Sequence, residues 1–116
     1  PVVAPVPADA ADVLSGIAAS SGRVTGVARL VANPREAGRL QPGEILVTRA
    51  TDPGWTPVFS LVSGVVLEVG GQLSHGAIVA REYGLPAVVN VPGALQRIRD
   101  GQTITVDGAA GRVFLT

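Results

Sequence analysis

The stretch that decides the fold is "GVVLEVGGQLSHGAIVAREYGLPAVVNV", Gly64–Val91. It opens on "GVVLEVGG", a compact apolar run bounded by glycine at both ends, which reads as a buried strand. A helix follows from His75. It stops at Gly84, with Pro86 two residues on, the expected order of a helix end. "AVVNV" is then a second short buried strand. Strands that are apolar at every position suit a sheet covered on both faces.

The pattern extends outward. "GRVTGVARLV" from Gly22 and "EILVT" (Glu44–Thr48) read as strands. "NPREAGRLQPGE" between them is loop, or at most one helical turn. "RATDPGWTPVF" is a turn that can open a short helix over Thr56–Leu61, and "PGALQRIRDG" is a helical turn plus a connector. "QTITVDG" and "RVFLT" flank "GAAG" as a closing hairpin. The expectation is a mixed α/β domain of layered sheets over 22–116. The Pro/Ala/Ser-rich residues 1–21 read as an N-terminal arm or linker.

Composition narrows the function. The chain has 116 residues, one domain's worth, and is 47% hydrophobic with mean hydropathy +0.40. Only four residues are aromatic, so Val, Ala, Leu and Ile must build the core. Nine basic residues balance nine acidic ones, which leaves no basic footprint for nucleic acid or an anionic membrane. Without cysteine there is no disulfide, thiolate or zinc–thiolate chemistry, and one histidine excludes a histidine-rich metal site. No apolar run approaches the ~20 residues of a membrane span, and no signal peptide is recognisable. The expected setting is cytoplasmic, and a start at Pro1 points to a piece of a longer polypeptide.

The one histidine, His75, stands at the first helical position after a glycine-rich loop. Ser74 is a good N-cap type, whose hydroxyl can accept from the free amides, although no Glu or Gln completes a capping box. A helix start favours anions and disfavours imidazolium, so the ring should stay neutral and nucleophilic. Gly70, Gly71 and Gly76 allow a ligand or protein surface to approach closely. Each feature also has an ordinary explanation: a structural histidine, a Gly-Gly turn, a serine cap. Asp52 before Pro53 reads as a turn former, and Trp55 as packing under the loop or facing a partner. Arg81, six residues after His75, points well away from the ring at ~100° per residue and reads as an anchor of the helix.

As a whole, "GGQLSHGAIVAREYGLPAVV" closely resembles the signature of the phosphohistidine, or mobile, domain of phosphoenolpyruvate-utilising enzymes. That family includes pyruvate phosphate dikinase, phosphoenolpyruvate synthase and rifampicin phosphotransferase. The matching positions run through Gly70, Gly71, Ser74, His75, Gly76 and Ala77 to Arg81, Gly84 and Pro86. The likeness extends to "PGEILVTRATDPGWTPVF" and "DGQTITVDGAAGRV", from about Gly22 onward.

The resemblance implies a swivelling β/β/α layered domain with a mainly parallel central sheet and additional antiparallel strands. It also implies a phosphocarrier that takes a phosphoryl group onto His75 at one active site and delivers it at another. Ser74, Gly76 and Gly71 would stabilise the group; Arg81 and Gly70 would support the site. The domain itself would bind no cofactor or metal. Mg and ATP or phosphoenolpyruvate would lie on partner domains: an ATP-grasp-like nucleotide-binding domain and a substrate- or phosphoenolpyruvate-binding domain. Family members often carry Thr two residues before the histidine, where this chain has Leu73. Gly76, "AREYGLPAVVNV" and "TDPGWTP" lean towards the rifampicin phosphotransferase or synthase-like branch. The alternative is a structural or interaction module that keeps the swivelling fold without being phosphorylated.

Overall fold

The computed structural model describes residues 12–115. The middle of the chain forms the strands β3 (Arg23–Leu30), β4 (Ile45–Thr48), β5 (Gly64–Leu67) and β6 (Ala87–Val89). They lie side by side and parallel in that order. Helices α1 (Thr56–Phe59) and α2 (His75–Tyr83) fill the first two long connections after β4, and α3 (Ala94–Arg97) follows β6. The closing hairpin is β7 (Thr103–Asp107) with β8 (Arg112–Leu115), paired antiparallel. "NPREAGR" contributes a six-residue 3-10 helix, Pro34–Arg39, two turns rather than the single turn expected.

Why the central strands are apolar at every position is visible in their alternation. Ile45, Val47, Val66 and Val88 pack in one cluster with Ile104, Val106 and Val113 of the antiparallel strands. Their neighbours Leu46, Val65, Leu67 and Val89 pack in the other with Phe59, Ala77 and Ala80 of the helices. The parallel strands are thus the middle of three layers, antiparallel strands on one side and α1 and α2 on the other. This is the β/β/α architecture the sequence points to. β3 belongs to two layers: Arg23–Val27 pair with β7 of the antiparallel layer, and Ala28–Leu30 pair with β4 of the central one.

One expectation needs correction. The arm does not extend to residue 21. Val13–Ser15 (β1) and Ile17–Ser20 (β2) are strands, and the part of the arm before Asp12 lies outside the described residues. β1 pairs with β8 and β2 with β6, which completes an eight-stranded order β1-β8-β7-β3-β4-β5-β6-β2. The two ends of that order are joined by Gly16 alone, so the sheet folds over and its edges meet there. A side chain at Gly16 would run into the Val89 carbonyl and the Val88 and Val91 side chains. These strands were hidden because Ala- and Ser-rich segments have weak strand preference of their own; pairing with an existing edge makes them strands.

The strongest ionic cluster is spent on holding the fold. Arg29 donates to both carboxylate oxygens of the buried Glu44 (3.1 and 2.7 Å) and to Asp100 (3.2 Å). The Arg29 hydrogen bond holds the Glu44 carboxyl below its ordinary range. Among the described residues no helix is long and apolar enough to cross a membrane.

α2 lies on β2, β6 and β5 with Gly76, Ala77, Val79 and Ala80 buried. Tyr83, at the end of the helix, is half exposed and leans on Phe59. Ala77 and Ala80 are both 0% exposed, so small side chains set how closely the helix approaches. Ala80→Leu should overpack this contact at a cost of about 1–3 kcal/mol. A thermal melt should drop by about 5 °C or more; an unchanged melt would show slack between helix and sheet.

Candidate functional site

The site is built where β4 and β5 end. Parallel neighbours deliver their following loops to the same edge of the sheet, here tied together by the Val69 amide donating to the Arg49 carbonyl (3.0 Å). After β5 the chain must reverse into α2. Gly70 does this at φ +125, a region closed to most side chains. The Gly71 carbonyl then accepts from both the Ser74 amide (3.1 Å) and the Ser74 hydroxyl (2.7 Å). Ser74 is the N-cap residue by backbone, but its hydroxyl is a donor into the loop and makes no cap hydrogen bond. The expected acceptor role is therefore corrected: the Gly71 carbonyl takes the Ser74 hydroxyl as well as the Ser74 amide. The first three amides of α2, on His75, Gly76 and Ala77, have no side-chain cap.

His75 begins the helix and is half-buried. Two neighbours hold its ring. Nδ1 lies 2.9 Å from the Thr51 hydroxyl. Phe59 meets the ring edge-on, with centroids 6.0 Å apart and planes at 77°. Nε2 makes no hydrogen bond among the described residues. With the proton on Nδ1 and donated to Thr51, Nε2 presents a free lone pair.

Thr51 was not singled out from sequence, although it sits in "TRATDP" just past β4. Its signal was topological: it meets His75 only because β4 and β5 are adjacent and parallel.

Gly76 has a packing role in the fold. It is buried, and a Cβ there would collide with the Leu67 side chain and stand 2.8 Å from the Thr51 hydroxyl. Glycine lets the helix start seat on β5 and lets Thr51 reach the imidazole. Gly71 faces open space, with nothing within 4 Å of an added Cβ. Arg81 does anchor the site. One guanidinium nitrogen donates to the Ala19 carbonyl (2.7 Å) and the other to the Gln72 carbonyl (2.6 Å). Gln72 donates in turn to Ala18 (3.2 Å), so β2 braces the loop that carries Ser74 and His75.

Beside Thr51 lies a cleft of about 330 Å³ bordered by Asn33, Pro34, Arg49, Asp52 and Trp55. Asp52 is committed to the turn, accepting from the Gly54 amide (2.9 Å), and Trp55 is in the core at 3% exposure. Both therefore serve the fold. The described residues contain no group of three or more His, Cys, Asp or Glu placed to hold a metal ion.

The layered fold and the braced histidine at a helix start define a swivelling, histidine-bearing domain. The chain belongs to the family described as "PEP-utilising enzyme, mobile domain", whose model matches residues 40–111. It is 52% identical over 103 residues to a rifampicin phosphotransferase of Bacillus cereus, covering 89% of this chain and 12% of that protein. It is 50% identical over 113 residues to the prodigiosin synthesizing transferase PigC of Serratia marcescens, covering 97% of this chain and 13% of that protein. Among solved structures, the Enzyme I (nEIt) protein matches with TM-score 0.60 and 30% identity, covering 69% of this chain and 33% of that one. The chain thus spans about an eighth of the length of these two relatives.

Proposed function

We propose that this domain is the phosphohistidine carrier of a larger phosphotransferase, with His75 as the residue that takes and gives the phosphoryl group. The observation that carries this reading is the Thr51–His75 hydrogen bond at Nδ1, which leaves Nε2 free at a helix start (2.9 Å). In the first transfer Nε2 attacks phosphorus. An N–P bond forms, the P–O bond to the donor breaks, and the donor leaves with its oxygen. Nδ1 keeps its proton on Thr51. The uncapped amides of His75, Gly76 and Ala77 and the positive end of α2 offset the charge that arrives. In the second transfer an acceptor oxygen attacks the same phosphorus and the electron pair of the N–P bond returns to Nε2.

Mg with ATP or phosphoenolpyruvate supplies the phosphoryl group, bound on partner domains, one ATP-grasp-like and one shaped for the substrate. The test is the full-length enzyme incubated with labelled donor and Mg. An acid-labile, base-stable phosphoryl group on His75 is expected. Label on Ser74, or none on the protein, overturns the carrier reading in favour of an unphosphorylated module of the same fold.

Thr51 is a positioning residue. Thr51→Val keeps the volume and deletes the hydrogen bond, worth about 0.5–1.5 kcal/mol. Phosphorylation of His75 should slow roughly tenfold, while the melting temperature falls by only a few degrees. Thr51→Ser should restore most of the rate. Equal rates in wild type and Thr51→Val would remove Thr51 from the mechanism.

A further inference from the structure

Three large hydrophobic residues are exposed among the described residues: Leu73 (85%), Tyr83 (44%) and Ile78 (41%). All three fall on α2 or on the loop that enters it. Leu73 stands two residues before His75. Ile78 stands one turn after it, and at 100° per residue the outer face of α2 carries His75, Ile78 and Glu82. Two exposed aliphatic side chains thus stand within three residues of His75, while the other large aliphatic side chains among the described residues are buried or partly buried.

We propose that Leu73 and Ile78 form an apolar collar that docks His75 onto the phosphoryl-donor domain of the same polypeptide; this rests on the carrier reading above. The occupant follows from three points. Two aliphatic side chains offer far less than the ~800 Å² per partner of a stable assembly, so they cannot hold a second copy or a freely diffusing protein. A domain on the same chain is different: tethering raises its effective concentration to about millimolar, where a weak contact suffices. The relatives are long enough to contain such a domain, this chain matching only 12–13% of them. The collar also favours one direction. It closes around a ring that carries no phosphoryl group. Once transfer has occurred, a phosphoryl dianion stands within the apolar contact and weakens it through desolvation. The contact therefore belongs to the donor visit, and phosphorylation releases it.

The experiment compares the full-length enzyme with its Leu73→Ser/Ile78→Ser variant under two donors. One is the bound donor, ATP or phosphoenolpyruvate with Mg, which requires docking. The other is phosphoramidate, a small molecule that reaches His75 without any partner. With the bound donor, labelling of His75 should slow at least tenfold; with phosphoramidate the rate should match wild type, and the melting temperature should be unchanged. Equal loss with both donors, or loss with neither, overturns the collar. A defect confined to delivery from pre-labelled His75 to the acceptor overturns the donor domain as its occupant. Absence of label on wild-type His75 from every donor overturns the carrier reading itself, and the collar with it.

Discussion

Replacing His75 with alanine is expected to abolish phosphoryl transfer to the final acceptor and to leave the domain folded. The loss should be complete because the chain has no second imidazole and no thiol to take its place. The adjacent Ser74 hydroxyl is turned into the loop, donating to Gly71 at 2.7 Å. A serine ester would in any case trap the group, whereas a phosphoramidate keeps the transfer potential needed for a second step. The stability cost should be small but measurable. His75 is half-buried, and the variant loses one hydrogen bond to Thr51 and one edge contact with Phe59. Together these are worth about 1–2 kcal/mol, against a typical domain stability of about 5–15 kcal/mol. Circular dichroism should show a native spectrum with a modestly lowered melt. Residual turnover in the alanine variant above the uncatalysed rate would place the phosphoryl group on another residue.

How much of this was readable in advance depends on the range of the forces involved. α2 was legible from its first residue to its last. Its start and stop are local events: a loop glycine pair before Ser74, and Gly84 at φ +69 with Pro86 beyond. A sheet covered on both faces was legible in "GVVLEV" and "AVVNV", apolar runs that need cover on both sides; that one cover is a strand layer and the other a helix layer was implied by the family resemblance. What was not legible depended on partners far away in sequence. β1 and β2 exist because β8 and β6 offer edges to pair with. Thr51 matters because a neighbouring parallel strand ends beside His75, 24 residues away in sequence. The inward role of Gly76 and the donor role of the Ser74 hydroxyl are set by Leu67 and by the Gly71 carbonyl. Residue types and spacing predicted a histidine at a helix start; they did not predict what holds its ring.

That holding is where the second large effect should appear. Phe59→Ala is expected to destabilise the domain by about 3–5 kcal/mol, the usual range for emptying a buried aromatic site. Phe59 is 1% exposed and lies in the cluster between the sheet and the helices. α1 has only four residues, too few to hold a helical shape without tertiary contacts, so the burial of Val58 and Phe59 keeps it in place. The same ring touches the site, 6.0 Å from the His75 ring and 6.2 Å from the Tyr83 ring between centroids. Loss of α1 would therefore loosen the wall against which His75 is oriented. In a thermal melt the variant should fall by more than about 10 °C. Phe59→Leu separates the two roles. It keeps most of the volume, so it should cost less than about 1.5 kcal/mol, yet it removes the ring that meets the imidazole edge-on. Near-native melting with slower His75 phosphorylation is the expected result for leucine. If instead the alanine variant melts within about 2 °C of wild type, α1 is held by contacts other than Phe59 and the ring's part in orienting His75 falls with it.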